Sequence, residues 1–214
     1  MKFKSLSIFA GFALWILSSQ VTAGELENGI VAIKAGKLRE AVQILEPLAK
    51  AGNREAQYQL GGVFETEGEG QDYARALKWY RLASERGNLN AEFRIAAMHS
   101  LGRGVPIDRA EAIRLYKLCA DLGNVRCQQS LAFAYAAGNG VPKDDVLSYM
   151  WSIIALESYT IAGDQGGIHL QKYMMEQWSS RLTFSQKFRA VALANKWKQS
   201  RPKKKASLTV KMIV

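Results

Sequence analysis

The sequence predicts an all-α fold, a solenoid of helix pairs. Three observations predict it: a self-similar period of about 36 residues, a glycine-rich turn in each period, and an aspartate at a fixed step after each turn. Ala56, Ala91 and Cys127 are equivalent positions. Each is followed four residues on by Leu60, Ile95 or Leu131, then by the small residues Gly61, Ala96 and Ala132, then by Phe64, His99 and Tyr135. Side chains at those offsets fall on one face of a helix, which makes this the first helix of each pair.

The turns are Gly68-Glu69-Gly70, Gly102-Arg103-Gly104 and Gly138-Asn139-Gly140, the last two running on into Val105-Pro106 and Val141-Pro142. Glycine stops a helix because it adopts left-handed backbone at little cost. Asp72, Asp108 and Asp144 come next, placed to accept from the free N–H groups that open the second helix. That second helix carries Ala76, Ala112 and Ser148, then Trp79-Tyr80, Leu115-Tyr116 and Trp151-Ser152. A small residue lets two helix backbones approach, and a ring fills the space beside it. Gly87-Asn88 and Gly123-Asn124 close the units.

The segments expected are a signal peptide at 1–23, a variant N-terminal repeat at 24–55, and repeats at 56–90, 91–126 and 127–163. Capping helices at 164–199 and a basic tail at 200–214 complete the chain. The variant repeat splits into two helical patterns at Gly36 and lacks the Gly-x-Gly-Val-Pro turn. Trp151 to Ala162 runs about one turn longer than its counterparts, and two further helices follow at roughly 167–181 and 184–198. Thr183 with Gln186 reads as a capping box for the last one. A solenoid must end on a face that demands no further neighbour, so these helices are the expected cap.

Hydrophobic residues make up 48% of the chain, too many for a disordered protein. The formal charge of +10 invites a nucleic-acid reading, but it is unevenly placed. Residues 24–195 are close to neutral, and the excess lies at Lys2 and Lys4 and from Lys196 onward. No nucleic-acid partner is expected. Met1-Lys2-Phe3-Lys4, the apolar run Leu6–Leu17 and the triplet Val21-Thr22-Ala23 match a secretory signal cleaved after Ala23. The alternative is an uncleaved anchor, although the apolar run is short for a span. Export to the periplasm or beyond is the expectation, with no stable membrane insertion after cleavage. No Cys follows the run, so no lipid-modified N-terminus is expected.

The pattern Ala-x-x-x-Leu-Gly, an aromatic three residues on, Gly-x-Gly-Val-Pro, an N-cap Asp, Ala-x-x-Trp-Tyr and a closing Gly resembles the Sel-one-like branch of the tetratricopeptide-type repeats. The resemblance covers about residues 28–163, and the stretch from Leu182 to Trp197 is similar to the terminal helix of exported bacterial members. It departs locally where Gly68-Glu69-Gly70 lacks Val-Pro, where His99 replaces an aromatic, and where Ser152 replaces Tyr. The resemblance implies a right-handed α/α superhelix whose concave surface, lined by the first helix of each pair, binds proteins or peptides. Members serve as adaptors in cell-envelope and secretory processes, and some cysteine-rich bacterial members have been described as penicillin-binding or β-lactamase proteins.

Helical spacing on the first helices points Tyr58, Phe93 and Phe133 toward such a surface, with Glu55, Glu65, Asn90, Arg126 and Gln129 nearby. Exposed rings in a groove anchor partner segments. The bland alternative is that the same rings pack between repeats. Cys119 and Cys127 bracket one tight inter-helix turn, which in an exported protein favours a disulfide, and the cysteine-rich relatives carry disulfides at the same junction. The alternative there is two buried small residues.

No catalytic set emerges. His99 stands at a core position, and neither it nor His169 has metal-ligand spacing to the cysteines, so no metal or cofactor is expected. The glycine turns lack the strand that a nucleotide-binding loop needs. Ser200-Arg201-Pro202-Lys203 matches Ser-x-x-Lys, but Pro202 defeats the helical geometry which that motif requires. The function expected is therefore a non-enzymatic protein- or peptide-binding module. A β-lactam- or peptidoglycan-acting enzyme and a binder of anionic surfaces through the basic tail are its rivals.

Overall fold

A computed structural model of the 214-residue chain describes residues 23–66, 68 and 70–201. Most of the signal segment, Glu69 of the first turn, and Pro202 onward in the tail lie outside the described residues. The described residues contain helices and no strand. They comprise α1 (residues 23–34), α2 (Leu38–Lys50), α3 (Arg54–Glu65), α4 (Tyr73–Glu85) and α5 (Leu89–Leu101). Then come α6 (Arg109–Asp121), α7 (Val125–Ala137), α8 (Asp145–Ala162), α9 (Gln165–Ser179) and α10 (Phe184–Ser200). Two compact units divide inside α6, at residues 112 and 113.

Capping explains why the helices begin where they do. Asp72, Asp108 and Asp144 each accept from the backbone N–H three residues on, at 2.9 Å in every case. Their own N–H groups donate back to the carbonyls of Phe64, His99 and Tyr135, which ties each turn to the end of the preceding first helix. The first helices have caps of their own. Asn53, Asn88 and Asn124 each accept from the second and third N–H beyond them, so the residue after the closing glycine opens the next repeat. Gly102 and Gly138 end α5 and α7 with the same left-handed backbone, φ 71° and ψ 32°. A side chain there would be strained. The expected capping box at Thr183 and Gln186 is present.

The first unit is built on a core drawn from α1 to α5. Leu45, Leu60 and Tyr80 lie fully buried among the alanines Ala41, Ala56 and Ala76. Gly61 is the small residue that receives a ring: a Cβ added there would stand 2.4 Å from the Tyr80 ring. In the second unit Leu131, Trp151, Ile154 and Tyr159 form the core, and α10 packs on α8 through Ala190, Ala194 and an edge-on Trp151–Trp197 contact at 5.3 Å. Trp197 also donates to Asp121 at 2.9 Å. The α8 helix has 18 residues against 13 in α6, the extra turn expected from the sequence.

Repeat junctions share one polar device. Gln57 donates to the Ala49 carbonyl at 2.9 Å, and Gln128 to the Ala120 carbonyl at 3.4 Å, each eight residues back. At the intervening junction Glu92 takes the glutamine's place and accepts from Ser84 at 3.5 Å. Burial holds the Glu92 carboxyl above its ordinary range, with the Ser84 hydroxyl partly opposing it. Cys119 and Cys127 sit one residue earlier on the same pair of helices. They form a disulfide across a Cα–Cα distance of 5.9 Å, and both are fully buried. The corresponding pairs elsewhere are Leu48 with Ala56 and Ala83 with Ala91.

Candidate protein-interaction face

In the first unit, Tyr58 and Glu65 stand two turns apart on α3, and Phe93 and Arg94 stand on α5. Glu65 is the centre of a cluster. It accepts from the Tyr80 hydroxyl at 2.8 Å and from the Arg103 guanidinium at 3.1 Å, and it lies 3.7 Å from the Arg94 guanidinium. Its side chain is 11% exposed, whereas those of Arg94 and Arg103 are 37% and 41% exposed. Two cations thus share one sunken carboxylate. The cluster carries a net positive charge turned partly to solvent, and a fixed cation of this kind recognises a carboxylate well.

The rings beside it are not free-standing anchors. Tyr58 is half-buried, its ring 5.9 Å from that of Tyr80, and Phe93 is half-buried too. Burial raises the Tyr80 hydroxyl pKa far above its ordinary value, and the negative charge of Glu65 adds to that, so Tyr80 stays a neutral donor. Arg103 extends over the Tyr73 ring at 5.5 Å from its centroid. Glu55 and Asn90 lie at the start of their helices: Glu55 accepts from the Asn88 side chain at 3.3 Å, and Asn90 is exposed.

In the second unit, Phe133 is 44% exposed yet packs edge-on against Trp178 at 5.3 Å. Gln129, rather than Phe133, is the repeat equivalent of Tyr58 and Phe93. Gln129 accepts from the Tyr159 hydroxyl at 3.2 Å and donates to Gln171 at 3.4 Å. Gln171 is fully buried at a position where the other repeats have Leu60, Ile95 or Leu131. Arg126 is exposed at the start of α7. The cluster partners Arg94, Arg103 and Tyr80, and the polar network of Gln129, Tyr159 and Gln171, escaped the sequence reading. Hydrophobic periodicity carries no signal for polar groups that meet across helices.

Among the described residues no group of three or more His, Cys, Asp and Glu side chains could hold a metal ion. Both cysteine sulfurs are tied up in the disulfide. His99 is half-buried, and its backbone carbonyl accepts from Asp108.

The Sel1 repeat family matches residues 54–88, 89–124 and 125–158, each match beginning on the first residue of a helix. Among solved structures, one similar protein is a protective antigen present in uropathogenic Escherichia coli strains and described as displaying an SLR fold. It is 29% identical, with a TM-score of 0.61 over 83% of this chain. This chain spans only 37% of that protein's length. A Sel1 repeat protein from Oxalobacter formigenes is 25% identical with a TM-score of 0.51, covering 54% of this chain and 89% of that one. No curated protein matches the chain. With three matched repeats, the fold of those structures and the paired helices described above, residues 54–158 are three Sel1 repeats, the unit of a family of protein-interaction scaffolds.

Proposed function

We propose that this chain is an exported, non-enzymatic scaffold of the cell envelope that holds a protein or peptide segment against its first helices. The observation that carries the reading is the Glu65 cluster, where Arg94 and Arg103 present excess positive charge near the half-buried Tyr58 ring, which packs on Tyr80, with half-buried Phe93 next to Arg94 along α5. That combination suits a segment bearing a carboxylate next to an apolar side chain. Asn90 adds a polar contact in the first unit, and the second unit by itself offers Phe133, Gln129 and Arg126 on its own first helix. Export rests on the N-terminal sequence, with its basic start, short apolar run and small-residue triplet.

A photo-crosslinking residue at Phe93, with the same residue at exposed Leu118 as control, tests this in the native host. Capture of one partner from position 93 only, lost in an Arg94→Ala/Arg103→Ala variant, is the expected result. Equal capture from both positions would overturn it. Purified protein is expected not to turn over a chromogenic β-lactam. Turnover that disappears on a point change in this chain would instead support the enzyme reading.

A further inference from the structure

The outer side of α10 carries the two most exposed phenylalanines among the described residues. Phe184 and Phe188 are 86% and 71% exposed, and Val191 is 43% exposed. Their spacing, four residues and then three, lines them up along one side of the helix. An adjoining side holds Ala190, Ala194 and Trp197 against α8. Packing within the second unit therefore accounts for one side of α10 and leaves a ridge of two phenylalanines and a valine outside.

Charge says what covers the ridge. After Glu176 the sequence has ten basic residues and no acidic one, so the whole formal net charge of +10 resides in the last 38 residues. On α10 itself, Lys187 flanks the ridge on one side, while Arg189 and Lys196 stand exposed on the other. Lys198 is engaged with Glu157 at 2.8 Å. A second copy of the chain would bring two such cationic surfaces together, which repulsion opposes. A nucleic-acid duplex would satisfy the cations and leave the apolar ridge in water, and a single strand could stack bases on the two rings but would leave Val191 uncovered. An interface that offers negative headgroups above hydrocarbon satisfies both.

We propose that the outer face of α10 docks on an anionic lipid bilayer, with Phe184, Phe188 and Val191 entering the headgroup–acyl boundary and Lys187, Arg189 and Lys196 meeting lipid phosphates. This is the arrangement of an interfacial helix, which lies in the plane of the membrane surface and does not span it. Among the described residues no helix is long and apolar enough to cross a membrane.

The experiment uses the full chain as isolated from its native compartment, with vesicles of 30% phosphatidylglycerol in phosphatidylcholine and vesicles of phosphatidylcholine alone as the probes. Sedimentation is expected to show binding to the anionic vesicles that falls at least tenfold on pure phosphatidylcholine. A Phe184→Ser/Phe188→Ser variant is expected to lose at least tenfold at unchanged helical content, since neither ring is part of the core. A Lys187→Gln/Arg189→Gln/Lys196→Gln variant is expected to lose a similar factor, and the loss should shrink as salt is raised. Unchanged vesicle binding by the phenylalanine variant would overturn the proposal. So would binding to an RNA homopolymer without vesicle binding, or self-association in light scattering that the phenylalanine variant abolishes while vesicles are not bound.

Discussion

Replacing Cys119 and Cys127 together by Ala removes the cross-link between α6 and α7 and leaves the rest of that junction intact. The equivalent pair one repeat earlier is Ala83 with Ala91, both fully buried. The fold therefore closes this junction with two methyl groups elsewhere, and the void left by two sulfurs is a small part of the cost. The larger part comes from the unfolded chain, which regains the freedom of a loop with a sequence separation of 8. Loop-closure entropy for that length gives about 2.5 kcal/mol. For a chain of this size that is a fall in Tm of roughly 5–10 °C. The loss should be local as well. In a nearest-neighbour array a junction governs the elements that dock through it, so amide exchange should rise first in α7 and its partner α8. Thermal unfolding and hydrogen exchange of the double variant, compared with parent protein under oxidising conditions, make the measurement. A Tm within 1 °C of the parent, or two freely alkylated thiols in protein taken directly from its native compartment, would refute the reasoning.

Glu65→Gln should destabilise the first unit by about 1–3 kcal/mol, because it strips a nearly buried anion from Arg94, Arg103 and the Tyr80 hydroxyl; urea unfolding reads it, and a neutral effect would mean solvent already screens the cluster. Gly61→Ala should cost about 1–3 kcal/mol, since the new methyl must displace the Tyr80 ring, and a double variant with Tyr80→Phe should not recover it. Glu92→Gln should give a pH-dependent gain. The raised carboxyl pKa means that folding favours the proton: stability is fully present below the unfolded value and is lost as pH rises through the folded one, so the variant should exceed the parent at neutral pH and lose that advantage at about pH 4. Solvent screening keeps the gain to about 0.5 kcal/mol or less, and equal pH profiles for the two proteins would remove burial as the cause. N-terminal sequencing of protein from the native host should begin at Gly24, and recovery of Met1 would overturn both the cleavage and the export reading.

The periodic part of the molecule can be read from the order of its residues alone. Helix pairs, turns, Asp caps and the longer α8 all follow from local rules that repeat every 36 residues or so, because capping and glycine backbone preference act within a few residues of chain. The Cys119–Cys127 bridge was legible for the same reason, as one short turn separates its ends. Tertiary structure decided what lies between helices. It gathered Glu65, Tyr80, Arg94 and Arg103 from three helices and a turn. It buried Gln171 where the repeat has a leucine or isoleucine, and set Phe133 against Trp178. It also left Phe184 and Phe188 outside while drawing Trp197 in. The physical reason is common to all four. Periodicity assigns a side chain to a face of its own helix, but only the approach of a neighbouring helix decides whether that face meets protein, a charge partner or solvent.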